Sequence, residues 1–239
     1  MTTPGMNASA LLCAWETAAA QSPGQRATAL LAALHEADAA SLDIGQRERD
    51  ALRLCAAIAG STLDAEACCA QCGERMDIAL PMTALDAAPD TRDEIEHDGW
   101  RIGLRVPHAR DVAFALDCAG SEDSEAALFA RCVTFAERDG HAVAAREIPP
   151  ALRERCEAQL DRLAPLANLA LAVQCPACGH ADTLAFDAGE FAVERIGHWA
   201  EDELDVVARL CTLYAWSEAQ VLAMSNWRRQ FYLDRAEAR

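Results

Sequence analysis

Two short runs, Cys69-Ala70-Gln71-Cys72-Gly73 and Cys175-Pro176-Ala177-Cys178-Gly179, constrain this chain more than any other feature. Two cysteines separated by two residues can turn both sulfurs toward one point. The glycine that follows relieves the tight turn and lets backbone N–H groups approach the thiolates. Two such turns supply the four sulfurs of a closed tetrahedral site suited to zinc. The spacing therefore predicts one structural Zn2+ held by Cys69, Cys72, Cys175 and Cys178. About 102 residues separate the halves, and closing a loop of that length costs on the order of 4 kcal/mol. Structural zinc contributes roughly 10–16 kcal/mol at neutral pH, so the metal wins and pins the middle of the chain to its C-terminal part.

Other uses of these cysteines make different demands. A thioredoxin-like pair opens a helix after a strand, whereas here glycine and then strand pattern follow each pair. A catalytic zinc keeps one position open for water, whereas four cysteines close the site. One pair could instead be buried thiol, and Cys68 beside Cys69 leaves the first register open. His180, directly after the second turn, is an alternative ligand or a neighbour outside the ligand set. The remaining cysteines, Cys13, Cys55, Cys118, Cys132, Cys156 and Cys211, lie on helical patterns among apolar residues and read as packing. The six histidines are scattered. No His/Glu pair has metalloprotease spacing, and there is no G-x-S-x-G, P-loop or dinucleotide fingerprint.

Composition narrows the function classes. The 38 acidic residues face 21 basic ones, all arginine, for a formal net charge of -17. Nucleic-acid binders need a basic surface that displaces counterions from phosphate, so nucleic acid and anionic membrane are both disfavoured as partners. The start, Met1-Thr2-Thr3-Pro4-Gly5, lacks a basic signal region, and no apolar run spans a bilayer. The expectation is a cytoplasmic, reducing setting in which the eleven cysteines do not form a disulfide framework. Just over half the residues are hydrophobic, many of them alanine, which predicts a helix-rich, thin core.

Along the chain, Ser22-Pro23-Gly24-Gln25 predicts a capping box opening a helix to about Ala40. Ser41 is expected to cap a second helix that ends at Gly60, and Ser61-Thr62-Leu63-Asp64 a short third one. Met76, Ile78 and Leu80 alternate as a half-buried strand leaving the first turn. Residues 86–98 read as an acidic solvated loop. Trp100, Ile102, Leu104 and Val106 then form a strand closed by Pro107. Residues 108–165 read as helix. Leu169, Leu171 and Val173 predict a strand into the second turn, and Leu184 and Phe186 one leaving it.

The last fifty residues read as helices again. Leu204, Val207, Cys211 and Tyr214 make one stripe, Ser217 to Gln220 a capping box, and Ser225 the cap of a last helix. Its Trp, Tyr and Arg content matches that of binding hot spots, which nominates Trp216, Trp227, Arg228, Arg229 and Tyr232 as a partner surface. The competing reading is that Trp216, Trp227 and Tyr232 lock three short helices together.

These residues carry a resemblance. Leu213 to Ser225, with Arg228-Arg229 and Tyr232-Leu233, resembles the "YxWSExEILxLxxxRRxxYL" ending of T4-family baseplate hub assembly chaperones of contractile phages and contractile injection systems. Cys69 to Gly73, the segment Trp100 to Asp111, Arg131-Cys132-Val133, and Cys175 to His180 followed by Phe186-Asp187 are similar in the same order, over roughly residues 62–235. Departures are His198-Trp199, where the family has leucine or phenylalanine before tryptophan, and Cys-Ala-Gln-Cys for the commoner Cys-Pro-x-Cys. The resemblance implies a non-enzymatic assembly factor whose partner is a baseplate hub or spike protein.

The expected fold is α+β, mostly helical, with a small antiparallel sheet carrying a zinc-ribbon-like four-cysteine site. Three regions are expected: helical 1–68, a core 69–190 with both cysteine turns, and helical 191–239. From another class, the alternative is a zinc-ribbon redox or enzymatic protein that uses its C-x-x-C pairs.

Overall fold

The computed structural model describes residues 7–35, 39–60, 62–81, 88–118 and 120–237. Three helices come first: α1 (Ala8–Ala19), α2 (Arg26–His35) and α3 (Ile44–Ala59). The Asn7 side chain caps α1 by accepting the Ser9 N–H, and Asp43 caps α3 by accepting the Gln46 N–H at 2.7 Å, satisfying donors that a helix start leaves free. Asp43, not Ser41, is therefore the cap; Ser41 lies in a short 3-10 turn, Ala39–Ser41. Ser22 and Gln25 do bond side chain to side chain at 2.8 Å, but α2 begins only at Arg26. Gly60, at φ +104°, stops α3 as expected.

A hairpin follows, β1 (Thr62–Cys68) and β2 (Arg75–Pro81), paired antiparallel with Cys68 opposite Arg75. The helix expected from Thr62 to Asp64 is thus a strand, and Ser61 lies outside the described residues. Alternation decides it: Ala65 and Ala67 are half-buried while Asp64 and Glu66 are exposed, a period of two. Of the expected acidic loop, residues 86 and 87 lie outside the described residues, and its end is strand.

That strand, β3 (Glu94–His97), opens a four-stranded antiparallel sheet with β4 (Trp100–Leu104), β5 (Val133–Arg138) and β6 (His141–Ala142), in the order β3-β4-β5-β6. Two Asp-Gly turns build it. Asp98-Gly99 and Asp139-Gly140 all take positive φ, the backbone that a tight two-residue hairpin requires. The stretch 108–165 is therefore not helix throughout; β5 and β6 interrupt α4 (Ala109–Leu116), α5 (Ser121–Cys132) and α6 (Pro150–Leu163). Trp100, Ile102, Leu104, Phe129, Ala136, Leu152 and Cys156 form the core under this sheet.

The second hairpin, β7 (Leu169–Gln174) and β8 (Ala181–Phe186), leads into the 27-residue helix α7 (Ala188–Tyr214). Small residues let α7 approach the N-terminal helices: a Cβ on Gly189 would lie 2.9 Å from the Ala27 Cβ, and one on Gly197 3.0 Å from the Trp15 ring nitrogen. The main core combines Leu11, Leu30, Leu52, Cys55, Ala192 and Ile196, with Ile78, Leu169, Leu171 and Phe186 of the two hairpins packed against it. Both hairpins thus stand on one floor, which aims their tips at a common point. Ala215, at φ +54°, ends α7, and α8 (Glu218–Leu222) and α9 (Asn226–Glu237) fold back on it.

Candidate metal centre

The tips of the two hairpins have the same local geometry. In the first, the Cys69 N–H donates to the Glu74 carbonyl at 2.8 Å and the Gly73 N–H to the Cys69 carbonyl at 2.9 Å. In the second, the Cys175 N–H donates to the His180 carbonyl at 2.8 Å and the Gly179 N–H to the Cys175 carbonyl at 2.9 Å. Gly73 and Gly179 both sit at φ +75°, where a side chain would be strained. Two copies of one turn therefore face each other.

All four sulfurs lie within 4.8 Å of one another. Cys69 Sγ and Cys178 Sγ are 3.7 Å apart, and so are Cys72 Sγ and Cys175 Sγ. A tetrahedral ion with ~2.3 Å bonds to sulfur needs sulfurs about 3.8 Å apart, so the donor set fits one metal ion. Each hairpin contributes a buried first cysteine and an exposed second one, and Met76, Ala67 and Val173 pack beneath the buried pair.

The electrostatics also favour a cation. The backbone N–H of Cys72, followed by that of Gln71, holds the Cys69 thiol down to about 6. At Cys72 the Glu74 N–H pulls the same way, but the Cys178, Cys69 and Cys175 sulfurs and burial outweigh it and push the thiol up to about 12. Cys178 is raised as well: the His180 N–H and the Cys72 sulfur pull it down, but burial and the Cys69 and Cys175 sulfurs outweigh them. One thiolate forms readily here, and further ones are opposed until a positive ion balances them. Neither alternative ligand joins the cluster among the described residues. Cys68 is exposed on β1, and His180 engages its turn through the backbone.

Of the cysteines expected to pack, Cys55, Cys132 and Cys156 are buried, and burial pushes each thiol up to about 11. Cys13 is exposed instead, because it lies on the outer side of α1.

The proposed partner surface divides. Trp216 stacks on Tyr214 at 4.5 Å and meets Tyr232 edge-on at 4.8 Å, while the Tyr214 hydroxyl donates to the Tyr232 carbonyl at 2.9 Å. Those rings join the end of α7 and the link that follows it to α9. Arg229 is corrected as a surface residue: it is 4 % exposed and forms an ion pair with buried Glu203 of α7. Trp227, at 73 % exposed, stacks on exposed Phe231, and Arg228 beside it is also exposed. Only these two of the five nominated residues are exposed, joined by Phe231, which spacing alone did not single out.

A second cluster had no role assigned from sequence. Asp111, 1 % exposed, accepts from Arg105 Nη1 at 2.7 Å, Arg131 Nε at 2.8 Å and the His108 N–H at 2.9 Å. Burial pushes its carboxyl up, but the hydrogen bonds from Arg105, His108 and Arg131 outweigh this and hold it well below the usual carboxylate range. The end of β4, the start of α4 and the end of α5 meet on this one carboxylate. Leu42, Ile44, Pro107 and Ala109 exchange backbone hydrogen bonds beside it. Its sequence signal was the pair of segments Trp100 to Asp111 and Arg131 to Val133.

No helix among the described residues is long and apolar enough to cross a membrane. Comparison with curated proteins and with solved structures finds no match. Residues 8–192 match the family model described as T4 bacteriophage base plate protein, a span that takes in α1 to α6, both cysteine hairpins and the first turn of α7. The chain belongs to the T4 bacteriophage base plate protein family.

Proposed function

We propose that this baseplate-family protein is a non-enzymatic assembly chaperone or adaptor for the hub of a contractile phage tail or injection system, clasped by a structural zinc ion. The observation that carries the reading is the convergence of four sulfurs from two hairpins distant in sequence. A saturated site of this kind leaves no coordination position for substrate. Zinc suits it because four thiolates in a tetrahedral array match the ion's ligand preference. Cys69, Cys72, Cys175 and Cys178 would hold the ion, which supplies charge neutralisation and a cross-link rather than a reaction.

The partner is a hub or spike component, met through the C-terminal helices. Support comes from the likeness of residues 213–233 to the chaperone ending and from the exposed Trp227–Phe231 stack, since aromatic residues next to arginine are the usual anchors of an interface. Arg228 is the cation at that patch.

Two measurements test the reading. The purified protein should carry one zinc per chain, with four thiols protected until a chelator is added. Ready oxidation of Cys175 with Cys178 in the metal-loaded protein would favour the redox alternative. Trp227→Ala with Phe231→Ala should sharply reduce recovery of the hub or spike protein in a pull-down from the native operon; unchanged recovery removes this surface from the account.

A further inference from the structure

We propose that the cleft between β3 and α6 binds an extended, carboxylate-bearing segment of another protein, which adds to the sheet as a fifth strand. The inference concerns residues outside the cysteine hairpins and stands independently of which metal they hold.

Strand order supplies the first observation. β3 is an edge strand with β4 on one side only. Asp98-Gly99 is a two-residue turn, so His97 and Trp100 form a hydrogen-bonded pair, and pairs alternate from there. The Leu104 N–H donating to the Asp93 carbonyl at 2.6 Å continues that alternation. Glu94 and Glu96 therefore turn their backbone N–H and C=O groups outward, where a row of unpaired groups is a template for another strand.

Charge supplies the second. A cleft of about 610 Å³ runs along this edge, lined by Arg92, Glu94, Ile95 and Glu96 on one side and Arg155, Gln159 and Arg162 on the other. Among the described residues none of the three arginines forms an ion pair with a carboxylate; Arg155 meets the His97 ring at 3.1 Å and Arg162 donates to Gln159 Oε1 at 3.1 Å. In a chain with this excess of acid, three guanidinium groups surround one cleft, and Asp90 beside Arg92 is the one carboxylate shown acting on any of them, so the cleft asks for further carboxylates from outside.

Glu94 and Glu96 of β3 line the cleft too, but among the described residues neither forms an ion pair with these arginines. Ile95 packs into the core shared with α6, so Glu94 and Glu96 project from the opposite face of the sheet. There Arg101 holds Glu94 at 3.7 Å and Glu137 at 3.0 Å.

The walls are also set in advance. Buried Gln159 donates to the Arg92 carbonyl at 2.7 Å and to Asp90 Oδ2 at 3.1 Å, and the Asp90 N–H donates to the Arg162 carbonyl at 2.9 Å. An extended peptide beside β3 would gain main-chain hydrogen bonds from the edge and specificity from every second side chain, which faces α6. Those alternate positions take Asp or Glu.

The test uses the full chain and a pool of ten-residue peptides with Asp at alternate positions and Thr or Val between, against a matched pool with Asn. The Asp pool should be enriched, and its best binder should lose roughly tenfold in affinity when Asp becomes Asn. Arg155→Gln with Arg162→Gln should weaken the Asp peptide to the level of the Asn peptide. On the wild-type chain, hydrogen exchange should show the Glu94 and Glu96 amides protected only with peptide present. Equal enrichment of the two pools, no enrichment, or binding without that protection would overturn the proposal. So would competition by inorganic phosphate at unchanged edge protection, or protection that rises with protein concentration alone, which would mean a second copy covers the edge.

Discussion

The four-cysteine clasp and the Asp111 node do the same mechanical work by opposite means. Each gathers segments far apart in the chain onto one point. At the node, one buried carboxylate meets two guanidinium groups and a backbone N–H, so the attracting charges are all carried by the chain. At the clasp, four groups of the same kind are brought within 4.8 Å, and their mutual repulsion as thiolates can be relieved only by something the chain does not supply. A junction of complementary charges is self-sufficient. A junction of identical ligands is conditional, and its strength follows the availability of metal.

The largest effect should therefore come from breaking the conditional junction. Cys175→Ser removes a ligand that is buried at 2 % exposure, and metal content should fall from one per chain to a small fraction. The loss of unfolding free energy should be on the order of several kcal/mol, less than the roughly 10–16 kcal/mol of an isolated structural site, because the helical core beneath the hairpins remains. Urea unfolding with and without chelator checks this: chelator should destabilise the wild type and leave the variant unchanged. Cys13→Ser, an exposed cysteine outside the cluster, serves as the control and should behave as wild type. A clasp that survives chelation would be held by packing alone, and the contrast with the node would disappear.

How much of each junction could be read in the sequence follows from how local its signal is. The cysteine turns were legible because spacing and a following glycine determine a turn within five residues. Strands β2, β7 and β8 beside them, and β4 in the four-stranded sheet, were legible from alternation. β1 was not: its inward positions include Ala65 and Ala67, which suit a helix equally well, and only pairing with β2 decides between the two. The β5–β6 hairpin had a signal in Asp139-Gly140, flanked by alternating residues, that a helix reading of 108–165 overrode. That the two hairpins share a floor was beyond local pattern, since it depends on Ile78, Leu169, Leu171 and Phe186 meeting helices from the other end of the chain. Arg229 misled for the same reason. An arginine among aromatics looks like interface until its distant partner, Glu203, is in place.

A smaller effect is expected at the node, with a different dependence on conditions. Asp111→Asn keeps the shape but removes the charge that three donors address, and should cost about 2–3 kcal/mol near neutral pH. Metal content should not change. The folded carboxyl titrates below its unfolded value of about 3.9, as its lowered pKa indicates. Its contribution is therefore complete above that value and is lost as the pH falls toward the folded one. The gap in stability between wild type and Asp111→Asn should be constant from pH 5 to 8 and narrow below about pH 4. Chelated samples of both proteins keep loss of metal in acid from entering the comparison. A gap that stays constant to pH 2 would show that Asp111 acts through shape rather than charge.

The smallest effect sharpens the comparison from the other side. Arg75 and Glu66 form an ion pair across the first hairpin just below the cysteine turn, placed as though to hold the two strands in register. Both side chains are largely exposed, at 71 % and 63 %, so water and salt screen the attraction and the ordering of two long side chains opposes it. Glu66→Gln should leave the urea midpoint and the metal content indistinguishable from wild type, at low and at high salt. Backbone pairing of β1 with β2 and the proposed ion at the tip then suffice to set the register. Should the variant instead lose metal, the hairpin would need its surface charges to present Cys69 and Cys72. The clasp would then depend on complementary charge, as the node does.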